Sequence, residues 1–162
     1  PVLLTIQVGQ SLRSLPALGP GLLSQVVLAL QRLLGFGAIT FTRSPAEEPL
    51  LQDLPASLLV LHWHGDRIQL PPSATLLASS LACPEQLFRI GPRAFGLQCH
   101  IEVTAAALER WIVEDAAFVR AALGVGGADR LRVEAARWLG PVMPLWRILL
   151  HQLLDPVQEA CR

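Results

Sequence analysis

The stretch Leu97-Gln98-Cys99-His100-Ile101-Glu102-Val103-Thr104 decides how this chain is read. It extends an apolar strand predicted over 94–101 and stops at Thr104, a hydroxyl residue suited to capping the helix that follows. Strand alternation places His100 and Glu102 on one face. An imidazole beside a carboxylate is a base with an orienting acid: the carboxylate fixes the tautomer, and the other ring nitrogen can take a proton from a nucleophile. Such a pair on an apolar strand can equally be two polar groups satisfying each other. Cys99 precedes His100 directly, so its sulfur is expected on the opposite face, as a small buried hydrophobe.

Working outward, the next concentration of polar chemistry is His62-Trp63-His64-Gly65-Asp66. His62 and His64 share a strand face, whereas Trp63 points the other way, into the core. Two imidazoles at i and i+2 can ligate zinc or nickel if a third ligand, His100 or Asp66, converges on them. The H-x-H spacing alone does not specify a metal. His62, His64 and Asp66 are therefore read as cleft-lining or structural groups, no metal ligands are assigned, and a metal or small-ligand binder remains the lesser alternative. Asp66 after Gly65 suits a tight turn.

The rest of the chain is organised around these segments. An apolar strand over 2–8 is followed by a loop punctuated by Pro16, Gly19 and Pro20, then by an amphipathic helix over 21–34 with Leu22, Val26, Leu30 and Leu33 on one face. A strand is predicted over 38–42, and short strands near 57–64, 67–70, 74–79 and 86–90 as antiparallel hairpins at the edge of the main sheet. One helix over 105–122 carries Leu108, Trp111, Ile112, Val119 and Leu123 on its core face. The region 128–154 reads as a helix pair or a kinked helix interrupted by Gly140, Pro141 and Pro144. Its apolar run from Leu145 to Leu154 suits either the chain's own sheet or a subunit contact.

From Gly35 to Leu123 the motifs Gly35-Phe36-Gly37, His62 to Asp66, Leu70-Pro71-Pro72, Cys83-Pro84-Glu85-Gln86 and Gln98-Cys99-His100-Ile101-Glu102 resemble the C-terminal half of class I glutamine amidotransferase domains. The helix Trp111 to Arg120 is similar to that of a stand-alone bacterial branch resembling the amidotransferase part of GMP synthase. The resemblance implies an α/β, flavodoxin-like mixed sheet with flanking helices, lacking the usual N-terminal strands. It also implies glutamine as substrate, no cofactor, His100 as base and Glu102 as its acid. The family's nucleophile is a cysteine in a G-x-C-x-G elbow, which this sequence does not contain. If the first strand is the elbow strand, Gln7 stands at the cysteine's place and Thr5 at the first glycine's; if it is the opening strand, the elbow is deleted. Cys83 occupies a position where the family carries a cysteine that is not the nucleophile, and Cys161 lies beside the C-terminus.

The composition narrows the remaining choices. The 162 residues suit one domain, organised as a divergent strand and helix (1–34), a family-like core (35–123) and a C-terminal helical extension (124–162). The chain is 52% hydrophobic and 16% charged, with no run of eighteen apolar residues, so no membrane span is expected. All 13 basic residues are arginines, which excludes lysine Schiff-base chemistry, and a net charge of +0 with scattered arginines argues against nucleic acid. Three unpaired, unevenly spaced cysteines without a signal peptide fit a reducing cytoplasm. The expected function is that of a degenerate amidotransferase-like binding or assembly subunit, a homo-oligomer or a partner of another protein through Leu22–Leu34 and Leu145–Leu154. The alternative is an active amidotransferase whose nucleophile comes from another chain.

Overall fold

The computed structural model describes residues 2–5, 34–92 and 94–159, with side chains described for 34–92 and 94–154. Residues 21–33 of the helix predicted over 21–34, the alternative elbow position Gln7 and Cys161 lie outside the described residues, and Leu34, the last residue of that helix as predicted, begins a strand instead. The strands are β1 (Val2–Thr5), β2 (Leu34–Phe41), β3 (Ser57–Trp63), β4 (Ala74–Ser79), β5 (Leu87–Ile90) and β6 (Ala94–Leu97). The helices are α1 (Ala105–Glu114), α2 (Ala116–Leu123) and α3 (Gly127–Glu159), with a 3-10 turn at Pro49–Leu51.

One mixed sheet holds all six strands in the order β1-β6-β5-β4-β2-β3. Only β1 and β6 run parallel, and every other neighbouring pair is antiparallel. The fold is therefore α/β with a mixed sheet and flanking helices, as expected. The 57–90 region is placed differently from the expectation of edge hairpins: β4 and β5 are interior strands, and only β3 lies at an edge. The burial of the two interior strands agrees with that: the adjacent Leu77 and Ala78 of β4 and Leu87 of β5 are all 0% exposed. Residues 67–70 form no strand; Arg67 there is tied by its side chain to Glu85 at 2.7 Å rather than by a backbone ladder.

The sheet curls so that β3, at one edge, comes back to the segment that follows β6, the strand next to the other edge. Leu61 of β3 forms an isolated antiparallel bridge with His100, just beyond β6, with backbone N–H to O=C distances of 3.2 and 2.8 Å. A single bridge stops well short of a closed barrel. It also corrects the predicted strand over 94–101, which ends at Leu97, so His100 is held by that bridge and not by a continuing ladder.

Helices pack against the sheet as their apolar faces require. Thr104 caps α1 as read from sequence, its Oγ1 accepting the Ala107 N–H at 3.2 Å. Leu108 and Ile112 of α1, and Phe118, Val119 and Ala122 of α2, are buried. The single helix predicted over 105–122 is in fact two, broken at Asp115, whose backbone leaves the helical region at φ −106° and ψ 27°. The region expected to be interrupted at Gly140, Pro141 and Pro144 is one helix of 33 residues. Pro141 and Pro144 sit on its exposed side, and so do Arg137 and Gly140, whose carbonyls lose their intrahelical donors and remain open to water. Trp146, Leu149 and Leu153 on the opposite side are at most 2% exposed, so burial holds the helix together through the prolines. The apolar run from Leu145 to Leu154 thus packs largely on the chain's own core, with Leu154 40% exposed.

Phe88 and Gly96 are register partners across β5 and β6, and the Phe88 ring lies over the glycine so closely that a Cβ there would overlap it. Gly96→Ala is expected to destabilise by about 1–3 kcal/mol, because ring and strand must shift together in a packed core. The urea midpoint reads this, and a midpoint equal to that of the unsubstituted chain would show that the ring moves aside freely.

Candidate functional site

The curl of the sheet brings His62 and His64, at the end of β3, beside His100, which is bonded to Leu61 through the backbone. All three are buried, at 3%, 6% and 5% exposure. His100 Nδ1 lies 2.7 Å from Glu102 Oε1. A carboxylate only accepts, so Nδ1 is the donor, and in the neutral imidazole that leaves the lone pair on Nε2, as a base requires. Glu102 Oε2 accepts the Ile101 N–H at 2.9 Å. Partial burial raises the Glu102 pKa, but the hydrogen bond and charge of His100 and the backbone N–H groups outweigh it and hold the carboxyl below its ordinary value. The sequence pairing of these two residues therefore holds, although the strand from which it was argued does not extend that far.

His62 and His64 contact each other edge to face, with ring centroids 5.8 Å apart. Burial and then the charges of His64 and His100 push His62 down to about 4; Gln86 works the other way, although His62 Nδ1 and Gln86 Oε1 each have no hydrogen-bond partner among the described residues. His64 is also lowered, chiefly by burial, against a 3.1 Å contact from its Nδ1 to the Asp66 carbonyl. Asp66 thus enters the site through its backbone, while its side chain belongs to an exposed turn. Gly37 makes room for His62: a Cβ at this position would come within 2.9 Å of His62 Nε2. Among the described residues, no three His, Cys, Asp or Glu side chains converge as metal ligands, so the third ligand that His62 and His64 would need is not supplied by His100 or Asp66.

Neither described cysteine is presented as a nucleophile. Cys83, 1% exposed, donates to Gln98 Oε1 at 3.3 Å; Cys99, also 1% exposed, contacts the Gln86 carbonyl at 3.8 Å. Burial raises the thiol pKa of Cys83, and burial with the charge of Glu102 pushes Cys99 up to about 12, so both remain thiols at neutral pH.

Three residues that the sequence reading did not assign to the site contribute to it. Gln98 Nε2 donates to the Asp66 carbonyl at 2.7 Å and fixes the loop after β3. Gln86 Nε2 donates to the Cys83 carbonyl at 3.1 Å. Trp111, expected only on a core face, meets the His100 ring edge to face at a centroid distance of 5.0 Å. Gln98 and Gln86 stand within the motifs already singled out; for Trp111 helical periodicity carried no signal beyond burial.

No protein-family profile matches the chain. A crystal structure of a glutamine amidotransferase from Thermotoga maritima superposes with a TM-score of 0.64 at 28% identity, covering 76% of this chain and 51% of that one. A glutamine amidotransferase-like protein of Salmonella typhimurium, YfeJ, is 36% identical over 92 residues, 57% of this chain and 38% of that protein. The chain is glutamine amidotransferase-like. It has the class I glutamine amidotransferase fold, over about half of the solved Thermotoga chain. Gamma-glutamyl peptidase 3 of Arabidopsis thaliana is 47% identical over 51 residues, 31% of this glutamine amidotransferase-like chain and 20% of the plant protein. Among the described residues no helix is long and apolar enough to cross a membrane.

Proposed function

We propose that this glutamine amidotransferase-like chain carries the base and acid of a γ-glutamyl amide-cleaving site, catalyses no glutamine hydrolysis by itself, and acts as a binding or assembly subunit. One observation carries this reading: His100 and Glu102 keep a 2.7 Å pair while the thiols of Cys83 and Cys99 are buried and engaged by Gln98 and Gln86. In a cysteine glutaminase the imidazole must receive the thiol proton before sulfur attacks the carboxamide, so a base without a thiolate in reach leaves the amide intact. The substrate class is suggested by the relatives, since the side-chain amide of glutamine and the bond cleaved in a γ-glutamyl peptide both lie at the γ-carboxyl of glutamate.

The retained pairing and the lowered pKa of Glu102 favour a second reading, in which another chain supplies the nucleophile. The two readings separate in one set of measurements. The purified chain is incubated with glutamine and with a cysteine-directed glutamine analogue while ammonia and protein mass are followed, and its sedimentation is recorded. The expected result is no ammonia, no adduct, and a species heavier than the 17.6 kDa monomer or one that recruits a partner. Ammonia release abolished by His100→Ala, with an adduct on Cys83 or Cys99, would refute the reading of an inactive chain. Activity gained only on adding a second protein would establish the nucleophile in trans.

A further inference from the structure

We propose that Trp111 is a positioning residue for the His100 imidazole and that Asp115, acting through Trp63, holds Trp111 in place. This rests on His100 being the oriented base of the site proposed above.

Glu102 grips His100 at one atom, and its own side chain is 46% exposed. One hydrogen bond to a half-exposed carboxylate fixes which nitrogen carries the proton but leaves the ring free to pivot about that contact. Trp111 supplies the second constraint: the two rings stand at 71° with centroids 5.0 Å apart, within the edge-to-face range that aromatic pairs prefer.

Trp111 in turn is braced. It lies in the last turn of α1, and that helix ends at Asp115, where the backbone leaves the helical region. Asp115 Oδ2 accepts the indole N–H of Trp63 at 3.1 Å. The Trp63 ring meets Trp111 at 5.6 Å and Phe118 of α2 at 6.4 Å. Trp63 is the last residue of β3, the strand whose Leu61 is bridged to His100. Base and brace are thus both referenced to the end of one strand. The non-helical residue between α1 and α2 provides the acceptor that fixes their separation. If Trp111 only filled the core, removing it would lower stability without disturbing the tautomer of His100.

Imidazole nitrogen NMR on the full chain distinguishes these cases. The unsubstituted chain should show His100 protonated at Nδ1, with an exchange-protected Hδ1. Trp111→Leu should move the ratio of oriented to alternative ring states by about two- to tenfold and expose Hδ1 to exchange. Trp111→Phe, which keeps an aromatic edge, should restore the signal. Asp115→Ala should act in the same direction as Trp111→Leu, and Asp115→Asn, which keeps a carbonyl acceptor, should not. Variants that melt earlier but retain the Nδ1 tautomer and the protected proton would overturn the proposal. Should Trp111→Leu fail to fold, Asp115→Ala, at a half-buried helix junction, decides alone. An Nε2-protonated His100 in the unsubstituted chain would instead overturn the reading of His100 as an oriented base.

Discussion

Trp146→Ala should lower the unfolding free energy by about 3–5 kcal/mol, a large part of what a single domain possesses. Trp146 is 1% exposed, midway along the buried face of α3, and its indole N–H donates to the Leu59 carbonyl at 2.7 Å. Truncation to alanine opens a cavity between the helix and β3 and leaves the Leu59 carbonyl without that donor. The same side chain anchors α3 just beyond Pro141 and Pro144, where the helix has lost two of its own hydrogen bonds. Trp146→Phe fills most of the space but loses the hydrogen bond, and should cost about 1–2 kcal/mol. Urea denaturation of both variants gives the comparison. An alanine variant within 1 kcal/mol of the unsubstituted chain, by about the precision of that method, would mean that α3 does not depend on this contact.

Acidification should destabilise the fold between pH 6.5 and about 4, by about 3 kcal/mol from His62 alone, with His64 adding to it. In the unfolded chain His62 binds a proton near its ordinary value of 6.5; in the fold, burial and the neighbouring His64 and His100 delay binding until about 4. Between these values the unfolded state holds more protons, so stability is fully present above 6.5 and falls with pH through that window. The lowered carboxyl groups of Glu102, Glu85, Glu47 and Glu109 lose their contributions only below their ordinary value of 4.5, so the upper part of the window belongs to the histidines. Chemical denaturation at pH 7.5, 5.5 and 4.5 tests this. His62→Gln should flatten the profile, and a profile equally steep in that variant would assign the dependence to other groups.

What could be read from the residues follows from the range of the interactions involved. The pairing of His100 with Glu102 and the cap at Thr104 are local, and both were legible. The continuity of α3 was not, because the local cost of Pro141 and Pro144 is visible in sequence, whereas the burial of Trp146, Leu149 and Leu153 that offsets it is a tertiary fact. The break at Asp115 was hidden for the converse reason: an aspartate inside a helix costs only a fraction of a kcal/mol locally, and the partner that uses the break is Trp63, on another element. The 67–70 segment carries the alternation of a strand but finds no neighbour to ladder with. The meeting of His62 and His64 with His100 depends on how far the sheet curls, and no periodicity records curvature.

The parallel pairing of β1 with β6 sets an order of assembly. Val2 finds Ala94 and Thr5 finds Leu97 across about ninety residues, whereas β5 reaches β6 through a short connection. Loop-closure entropy therefore favours the β4, β5 and β6 meander as the early nucleus and leaves β1 to register last. In a refolding experiment the tryptophans of β3, α1 and α3 would report collapse before protection appears on the amides of the first strand.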